Sequence, residues 1–412
     1  ARVLPEKQRI DDRVAGFFVP VILIVSLLTF FIWVFFGGIG VVSHGLFAAL
    51  SVLVVACPCV IGLATPVALA AGLNKAARNH ILIRDTSALE QMRNVDVVVF
   101  DKTGTLTEGH PTVIGWLWAQ GQEDHYKDVL LAAESTSDHP LAEAIVTALE
   151  GEEQVIPAHL DGFESIAGKG VRVAYQGAEY WVGSHKLLKD YQANLSDILA
   201  DMLTQYESDG NSIVYFGREN DLLAVIAIKD QLRVTSMEAI RELRTQDIEI
   251  CMLTGDGERT ASSVAGSLGI MRFVADAMPD DKEDFIHKLQ LQGKTVAMVG
   301  DGVNDAQALS CADVSIAMGK GTDTLMDTAM ITLRTSDLLL LPKVFRLSRQ
   351  TVSLMYRNLF WAFIYNTVGI FVAAGVLYPV YDILLSPALA GAAMALSCVS
   401  VALSSLRLSS RF

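Results

Sequence analysis

The chain has 412 residues, 51% of them hydrophobic, and a formal net charge of −14 at pH 7. This length is sufficient for two or three domains. Most charges lie in the middle of the chain, because 42 of the 46 acidic residues and 26 of the 32 lysines and arginines fall between Lys75 and Arg357. This acidic, soluble segment has a net charge of about −16, which argues against nucleic acid as a partner.

Four apolar stretches carry no charge: residues 16–36, 45–73, 359–381 and 383–406. Each has about 20 residues or more, the length that crosses the core of a lipid bilayer. We therefore predict two transmembrane hairpins, within residues 1–78 and 344–412. Basic residues flank only the outer ends of the hairpins, so both termini and the soluble body are expected in the cytoplasm. These residues are Lys7, Arg9, Arg13, Arg346, Arg349, Arg357, Arg407 and Arg411.

The second apolar stretch contains a proline between two cysteines, Cys57-Pro58-Cys59. Proline lacks an amide hydrogen and clashes with the preceding turn, so the helix is predicted to kink or unwind there. An unwound turn brings both thiols towards one point, and a pair of thiolates selects a soft metal ion such as Cu(I). The alternative is a kinked helix with two small buried cysteines.

From residue 95 onwards, short β-branched runs end in polar or glycine-rich turns and are followed by helical stretches. This pattern predicts a doubly wound parallel sheet, which places its chemistry at the carboxyl ends of the strands. Residues 113–228 differ, because a helical segment is followed there by glycine-punctuated β-rich runs. We predict a sheet domain split into residues 79–111 and 229–343, with an inserted domain at residues 112–228.

The predicted strand ends carry groups suited to phosphoryl transfer. Asp101, in DKTGTLT, follows an apolar strand and is the candidate nucleophile, with a hydroxyl-rich turn for the phosphate oxygens. Asp301, in GDGVND, is placed to share Mg²⁺ with Asp101, and Lys282 is placed to neutralise charge on the transferred group. The residue two positions after the nucleophile is Thr103 rather than an acid. A long-lived aspartyl phosphate, as in a pump, is therefore favoured over a phosphatase.

The motifs DKTGTLT, TGD and GDGVNDA, in this order, resemble the P-type ATPases, and CPC with SDHPL resembles their heavy-metal branch. The resemblance implies a multidomain membrane protein with α-helical transmembrane hairpins, an α/β haloacid dehalogenase-like phosphorylation domain and an inserted α+β nucleotide-binding domain. It implies that Asp101 is phosphorylated and that Asp101, Thr103 and Asp301 hold Mg²⁺. The catalytic residues that it implies are Asp101, Lys102, Thr103, Thr254, Gly255, Asp256, Lys282, Asp301, Asn304 and Asp305.

For the inserted domain, the resemblance implies that Glu134, His139, Gly168 and Gly170 bind ATP. Two positions depart from the pattern of the family. Ser184 stands where an asparagine is usual, which calls one ATP contact into question. Gln307 replaces the usual proline after GDGVNDA, a change that loosens the following hinge without removing a charge.

The last two apolar stretches resemble the Cu(I)-transporting subgroup, in which Tyr365, Asn366, Met394 and Ser397 accompany Cys57 and Cys59. An exporter of zinc or cadmium is expected to carry a carboxylate or lysine in these stretches, and both are uncharged. Ag(I) is as soft as Cu(I) and stays open as the transported ion. By resemblance, Asp12 takes the metal from a cytoplasmic copper donor, with an ion pair to Arg9 or Arg13 as the alternative.

The resemblance also implies parts that this sequence lacks, namely an actuator domain with a Thr-Gly-Glu loop and further helices before it. We therefore interpret the chain as the core of an ATP-driven exporter, able to bind ATP but not to complete a transport cycle alone. Three alternatives stay open: an exporter of zinc, cadmium or cobalt, a membrane-tethered phosphatase of the dehalogenase fold, and a non-catalytic metal-binding membrane protein.

Overall fold

The computed structural model describes residues 10–37, 42–57, 59–119, 123–137, 139–152, 155–193, 197–301, 305–319 and 328–410. The chain forms two compact units. One consists of Ala1–Asn79 and Arg346–Phe412, and the other is His80–Phe345. The predicted transmembrane hairpins fall in the first unit, and both predicted soluble domains fall in the second.

The helices and strands of the described residues are numbered in chain order. The helices are α1 (Ile10–Gly37), α2 (Val42–Val55), α3 (Cys59–Arg78), α4 (Ser87–Met92), α5 (Glu123–Glu134), α6 (Pro140–Glu150), α7 (His185–Asp190), α8 (Asp197–Ser208), α9 (Ser236–Arg244), α10 (Glu258–Leu268), α11 (Pro279–Leu291), α12 (Ala306–Cys311), α13 (Leu340–Ala373), α14 (Tyr378–Tyr381) and α15 (Pro387–Ser410). The strands are β1 (Ile81–Ile83), β2 (Val97–Asp101), β3 (Thr112–Trp118), β4 (Gly162–Ile166), β5 (Gly170–Tyr175), β6 (Ala178–Gly183), β7 (Ser212–Arg218), β8 (Asp221–Lys229), β9 (Glu249–Leu253), β10 (Arg272–Val274), β11 (Val296–Gly300), β12 (Val314–Met318) and β13 (Ile331–Leu333).

Two of the four predicted spans each lie within one helix that is long and apolar enough to cross a membrane. They are Val19–Phe36 within α1 and Pro387–Arg407 within α15. Large apolar side chains of these helices face outward, since Phe35 is 84% exposed and Leu396 is 70% exposed. Such a surface is suited to lipid or to further apolar helices rather than to water.

The other two predicted spans differ from a single straight helix. Residues 45–73 are divided between α2, which ends at Val55, and α3, which begins at Cys59. This break confirms the predicted interruption around the proline. Our prediction for residues 359–381 was wrong in its bounds, because α13 begins at Leu340 and ends at Ala373. Its first half carries Arg346, Arg349 and Arg357, which leaves only residues 359–373 apolar.

A seven-stranded sheet forms the centre of the second unit, in the order β1-β13-β12-β11-β2-β9-β10. All neighbours are parallel except the pair β1 and β13. Every residue of β2, β11 and β12 is buried, as expected for parallel strands covered by helices on both faces. The parallel doubly wound sheet predicted from the sequence is confirmed.

The inserted segment folds into an antiparallel six-stranded sheet, in the order β3-β8-β7-β6-β5-β4. One face packs against α5 and α6 through a large apolar core that includes Phe216 and Ile226. A second core, around Trp181 and Tyr215, lies beneath α7 and α8. The segment is therefore a domain with its own apolar cores, joined to the parallel sheet through β3 and β8.

The inserted domain and the sheet domain contact each other along α8 and α10. Arg259 forms an ion pair with Glu207 at 3.1 Å. The Thr260 hydroxyl donates to the Asn211 carbonyl at 2.7 Å, and the Ser263 hydroxyl donates to the Ser208 carbonyl at 2.6 Å. These contacts hold the inserted domain over the carboxyl ends of the parallel strands.

Candidate functional site

Asp101 lies at the carboxyl end of β2, at the centre of the parallel sheet, and is 6% exposed. The Lys282 ammonium, from the first turn of α11, donates to Asp101 Oδ1 at 2.6 Å and to Asp305 Oδ1 at 2.7 Å. Burial alone would lower the pKa of Lys282, but the charges of both aspartates raise it above its ordinary value. Lys282 is thus a permanent cation beside the candidate nucleophile.

Asp301 follows β11 and adds a third carboxylate to the same place. Oxygens of Asp101, Asp301 and Asp305 lie within 4.8 Å of one another. Burial, and then the charges of Asp101 and Asp305, raise the pKa of Asp301 to about 7. Two buried carboxylates and the half-buried Asp301 beside one ammonium leave excess negative charge, and a hard cation such as Mg²⁺ fits this all-oxygen set.

The turn after Asp101, residues Lys102–Leu106, folds directly over Asp301. Gly104 has φ +70°, and a Cβ at this position would overlap Asp301 Oδ2. Thr103 is extended at φ −73° and ψ 129°. The turn therefore requires glycine both for its left-handed backbone and for its close approach to the carboxylate.

Two residues that the sequence did not reveal, Arg233 and Asp230, hold this turn in place. The buried Arg233 guanidinium donates to the carbonyls of Gly104, Thr105 and Glu108. The Asp230 carboxylate accepts from the Thr107 hydroxyl at 2.6 Å and from the Gly109 amide at 3.1 Å. Both residues follow β8 in the sequence KDQLR. Their only signal was a cluster of charges directly after an apolar strand.

Lys102 connects the motifs DKTGT and TGD. Its ammonium forms an ion pair with Asp256 and donates to the Ser212 hydroxyl at 3.3 Å. Asp256 also accepts from Ser212 at 2.7 Å and from the Thr254 hydroxyl at 3.0 Å. Burial would raise the pKa of Asp256, but Lys102 and these hydrogen bonds lower it. Gly255 has room for a side chain, since a Cβ would lie 3.7 Å from the Ala277 carbonyl oxygen.

In the inserted domain, Glu134 and His139 lie on either side of the turn between α5 and α6. Glu134 is buried at the end of α5, and burial raises its pKa to about 7. His139 precedes α6, and its Nδ1 accepts from the Leu141 amide at 3.2 Å. His139 is exposed at the surface, but partial desolvation lowers its pKa, with Asp256 opposing this effect and Lys102 adding to it. His139 therefore lies within electrostatic reach of the phosphorylation motifs.

Gly168 and Gly170 flank the turn that begins β5, with φ +67° and +146°. A Cβ on Gly170 would overlap the Val182 carbonyl oxygen of the neighbouring strand. A Cβ on Gly168 would lie 2.6 Å from Met278 Cε in the sheet domain. The backbone conformation and close contacts thus favour glycine at both positions, whether or not a nucleotide binds there.

The two positions that depart from the family pattern have different surroundings. Ser184 precedes α7, and its hydroxyl is buried and has no hydrogen-bond partner in the part of the chain that the structure describes. Gln307 is an exposed residue of α12. Ser184 therefore leaves an unsatisfied polar group, whereas Gln307 does not disturb the helix.

Replacing Glu134 by glutamine is expected to make the stability of the chain less dependent on pH. The pKa of Glu134 is about 7 in the folded state, against an ordinary value of 4.5. Protonation of Glu134 therefore stabilises the folded state fully below pH 4.5, and this stabilisation is lost as the pH rises to 7. The shift corresponds to about 3 kcal/mol. We would compare urea unfolding at pH 5 and pH 8, with the exposed Glu143→Gln as the matched control. If the free energy of unfolding changed equally with pH in the wild type and in Glu134→Gln, the raised pKa of Glu134 would be contradicted.

In the first unit, called the membrane unit because it holds the predicted transmembrane hairpins, Asn366 and Ser397 are buried, at 1% and 9% exposure. Both side-chain polar atoms of Asn366 and the Ser397 hydroxyl have no hydrogen-bond partner within the described ranges. Met394 packs half-buried beside Ala64 and Ala362. Tyr365 is 47% exposed. Unsatisfied polar groups in an apolar interior are costly unless they serve a ligand.

Packing contacts place these residues at the level of the helix break. Before the break, a Cβ on Gly369 would lie 2.5 Å from Val55 Cγ1, and one on Gly391 would lie 3.9 Å from Val54 Cγ1. After the break, Ala64 packs in one cluster with Ala362 of α13 and Val401 of α15. Residues 363–368 of α13 and 392–400 of α15 lie between these two levels of contact. Asn366, Met394 and Ser397 fall in these intervals.

Parts of the predicted catalytic and metal sites lie outside the described residues. These are Pro58, Asn304 and the side chains of Cys59 and Asp12. Cys57 is half-buried and disulfide-bonded in the structure. Only its reduced thiolate can bind a metal.

A family model of haloacid dehalogenase-like hydrolases matches residues 95–313, more than half of the chain. The chain is 43% identical over 401 residues to a copper-exporting P-type ATPase of Legionella pneumophila, covering 97% of this chain and 54% of the relative. It is 44% identical over 406 residues to a silver-exporting P-type ATPase of Salmonella typhimurium, covering 98% of this chain and 49% of the relative. The chain thus spans about half the length of these relatives.

Solved structures of P-type ATPases are also similar to this chain. The crystal structure of a zinc-transporting PIB-type ATPase in an E2.Pi state matches with a TM-score of 0.71 and 32% identity, covering 99% of this chain and 65% of that chain. The catalytic domain of a CPx-ATPase matches with a TM-score of 0.55 and 28% identity, covering 66% of this chain and 97% of that domain. The resemblance to heavy-metal P-type ATPases, inferred from the motifs, is confirmed. With the carboxylates gathered at the end of β2 and the family model spanning them, the chain belongs to the haloacid dehalogenase-like hydrolases.

Proposed function

We propose that the chain is the catalytic core and part of the membrane pathway of an ATP-driven exporter of a monovalent soft metal, Cu(I) or Ag(I). One observation carries the proposal: Lys282 bridges Asp101 and Asp305 at the strand ends, with Asp301 under the glycine turn. This arrangement is suited to phosphoryl transfer to an aspartate. The names of the relatives support copper or silver as the cargo.

In the proposed reaction, an Asp101 oxygen attacks the γ-phosphorus of ATP. An O–P bond forms on the carboxylate, the bond to the β,γ-bridging oxygen breaks, and ADP leaves with that electron pair. Lys282 holds Asp101 Oδ1, which orients the carboxylate and offsets charge on the transferred group. Thr103 cannot act as a base for water, so the aspartyl phosphate persists until another part of the protein acts on it.

Mg²⁺, when bound, would be held by Asp101, Asp301 and Thr103 and would supply positive charge to the phosphate oxygens. His139, Glu134, Gly168 and Gly170 are proposed to contact the nucleotide from the inserted domain. His139 supports this role best, since Asp256 and Lys102 influence its pKa from the sheet domain. The buried Ser184 hydroxyl, which has no partner among the described residues, is available for a nucleotide hydroxyl or phosphate.

In the membrane unit, Cys57 and Cys59 in reduced form are proposed to bind the metal at the helix break, with Met394, Asn366 and Ser397 around them. The unsatisfied polar atoms of Asn366 and Ser397 support this site. Tyr365 and Asp12 are kept as further candidate ligands, at the site and at its entrance. A divalent cargo is the second candidate, because a structural neighbour transports zinc. The uncharged stretch 359–373 speaks against it.

The proposal is tested by acid-stable phosphate incorporation from labelled ATP into the chain in lipid nanodiscs under reducing conditions. Labelling is expected with Mg²⁺ and is expected to be lost in Asp101→Asn. Equilibrium competition with a Cu(I) chelator should show tight binding that Asn366→Ala weakens and the neighbouring Thr367→Ala does not. Labelling that survives Asp101→Asn would refute the chemistry. Tighter binding of Zn²⁺ than of Cu(I) would refute the cargo, and turnover of a generic phosphomonoester would favour a phosphatase.

Binding of Mg²⁺ is expected to strengthen as the pH rises. A proton on Asp301, with a pKa near 7, must leave before the carboxylate accepts the cation. The apparent Kd should therefore fall about tenfold between pH 6 and pH 8. Calorimetric titration at several pH values measures this, with the exposed Asp284→Asn as a control that keeps the slope. Asp301→Asn should weaken binding and flatten the slope, and an unchanged slope in this variant would contradict the role of Asp301.

A further inference from the structure

A second cluster of metal-ligating side chains lies on the outer face of the sheet domain, between α11 and α12. It consists of Glu283, His287 and Cys311, whose ligand atoms all lie within 4.8 Å of one another. Glu283 and His287 are four residues apart on α11 and therefore share one face of the helix. Cys311 is the last residue of α12. None of these residues takes part in the phosphoryl-transfer chemistry proposed above.

We propose that Glu283, His287 and Cys311 form a binding site for a borderline divalent cation, with Zn²⁺ as the best fit. Cys311 Sγ lies 3.3 Å from Glu283 Oε1, and His287 Nε2 lies 3.5 Å from the same oxygen. Ligands about 2.0–2.3 Å from a tetrahedral Zn²⁺ are separated by about 3.3–3.8 Å, so both of these separations suit that ion.

The orientation of His287 is fixed by Gln290. The Gln290 amide nitrogen donates to the Cys311 carbonyl at 2.8 Å and to Asp313 Oδ2 at 3.3 Å, so the amide oxygen faces the other way. That oxygen lies 3.1 Å from His287 Nδ1. An amide oxygen only accepts, so Nδ1 carries the proton, and Nε2, which faces Glu283, is the nitrogen available to bind a metal. This is how neighbouring groups prepare a histidine to bind a metal.

The donor set also determines the kind of ion. A thiolate, a carboxylate and a neutral imidazole carry two negative charges, which a divalent cation balances. Mg²⁺ and Ca²⁺ prefer oxygen ligands alone, whereas zinc accepts nitrogen, sulfur and oxygen together. His287 and Glu283 keep side-chain exposures of 50% and 35%, so solvent reaches the fourth position. Without a metal, burial and the hydrogen bond to Glu283 raise the pKa of the Cys311 thiol. Binding therefore displaces the thiol proton.

Co²⁺ is the probe for this site, because its thiolate charge-transfer band in the near ultraviolet reports a sulfur ligand. The reduced 412-residue chain carrying Cys57→Ser and Cys59→Ser is titrated in detergent with excess Mg²⁺ present. We expect one equivalent of Co²⁺, a thiolate band, and displacement by Zn²⁺. Cys311→Ser should lose the band, whereas Cys251→Ala, which removes a thiol from the core, should keep it.

A second pair of variants retains the thiol. His287→Ala should weaken Co²⁺ binding by about tenfold or more, and His159→Ala, an exposed histidine elsewhere, should leave it unchanged. Absence of the band in the parent chain, its persistence in Cys311→Ser, or equal affinities for the two histidine variants would overturn the proposal. In those cases the three residues form only an exposed ion pair and a thiol hydrogen bond.

Discussion

Gly104→Ala is expected to reduce phosphate incorporation at Asp101 by about a hundredfold, the effect of displacing a reacting group by roughly 1 Å. A Cβ here would overlap Asp301 Oδ2, and the left-handed backbone at φ +70° opposes any side chain. Either the turn or Asp301 must move, and both flank the nucleophile. Labelled ATP with acid quenching measures the loss.

Gly293→Ala is the matched control for this change. Gly293 has φ +78° in the same domain, but no atom lies within 4 Å of its added Cβ. Both variants share the backbone strain of about 1–2 kcal/mol, so their difference isolates the overlap with Asp301. The double variant Gly104→Ala/Asp301→Ala should regain stability without regaining activity. Labelling of Gly104→Ala at the level of Gly293→Ala would show that the turn need not touch Asp301.

Lys282→Met is expected to destabilise the chain by about 3–5 kcal/mol at pH 8 and to abolish phosphorylation. The change leaves Asp101, Asp301 and Asp305 buried together without their ammonium. Proton binding to this cluster relieves its excess negative charge, so the folded state of the variant binds protons more tightly than the unfolded state. The stability deficit should therefore grow as the pH rises through 7 and shrink towards pH 5.

Urea unfolding at pH 5 and pH 8 measures this effect. Lys288→Met is the control, because Lys288 is an exposed lysine on the same helix and its loss should cost no more than about 0.5 kcal/mol. Mg²⁺ should restore part of the stability of Lys282→Met, since it supplies charge to the same carboxylates. A deficit that is independent of pH, or equal to that of Lys288→Met, would refute the electrostatic role of Lys282.

The phosphorylation motifs were predictable because their geometry follows from topology. Asp101, Thr254 and Asp301 each end or follow an apolar strand, and parallel strands bring such residues to one edge. The roles of Arg233 and Ser212 were not predictable, because they depend on pairings with residues more than 100 positions away. Neither the hydrophobic periodicity nor the secondary-structure propensity of a local segment predicts such long-range contacts.

In the membrane unit, too, local features could be predicted from the sequence but the packing of the helices could not. The proline between two cysteines predicted the break between α2 and α3, since the missing amide acts locally. The bounds of α13 were not predictable from hydropathy, because the helix begins at Leu340 and includes three arginines before its apolar part. The burial of Asn366 and the exposure of Tyr365 depend on how α13 packs, although these residues are adjacent in sequence.

The strand β8 makes the two domains of the second unit mechanically continuous. It leaves the inserted domain at Lys229, and the next residue, Asp230, binds Thr107 and Gly109 of the loop that follows Asp101. Arg233, three residues further on, binds that loop's carbonyls. A tilt of the inserted domain is therefore expected to move the loop that follows Asp101, because residues directly after β8 hold that loop. Movement of the inserted domain is therefore expected to reach Asp101 through these hydrogen bonds.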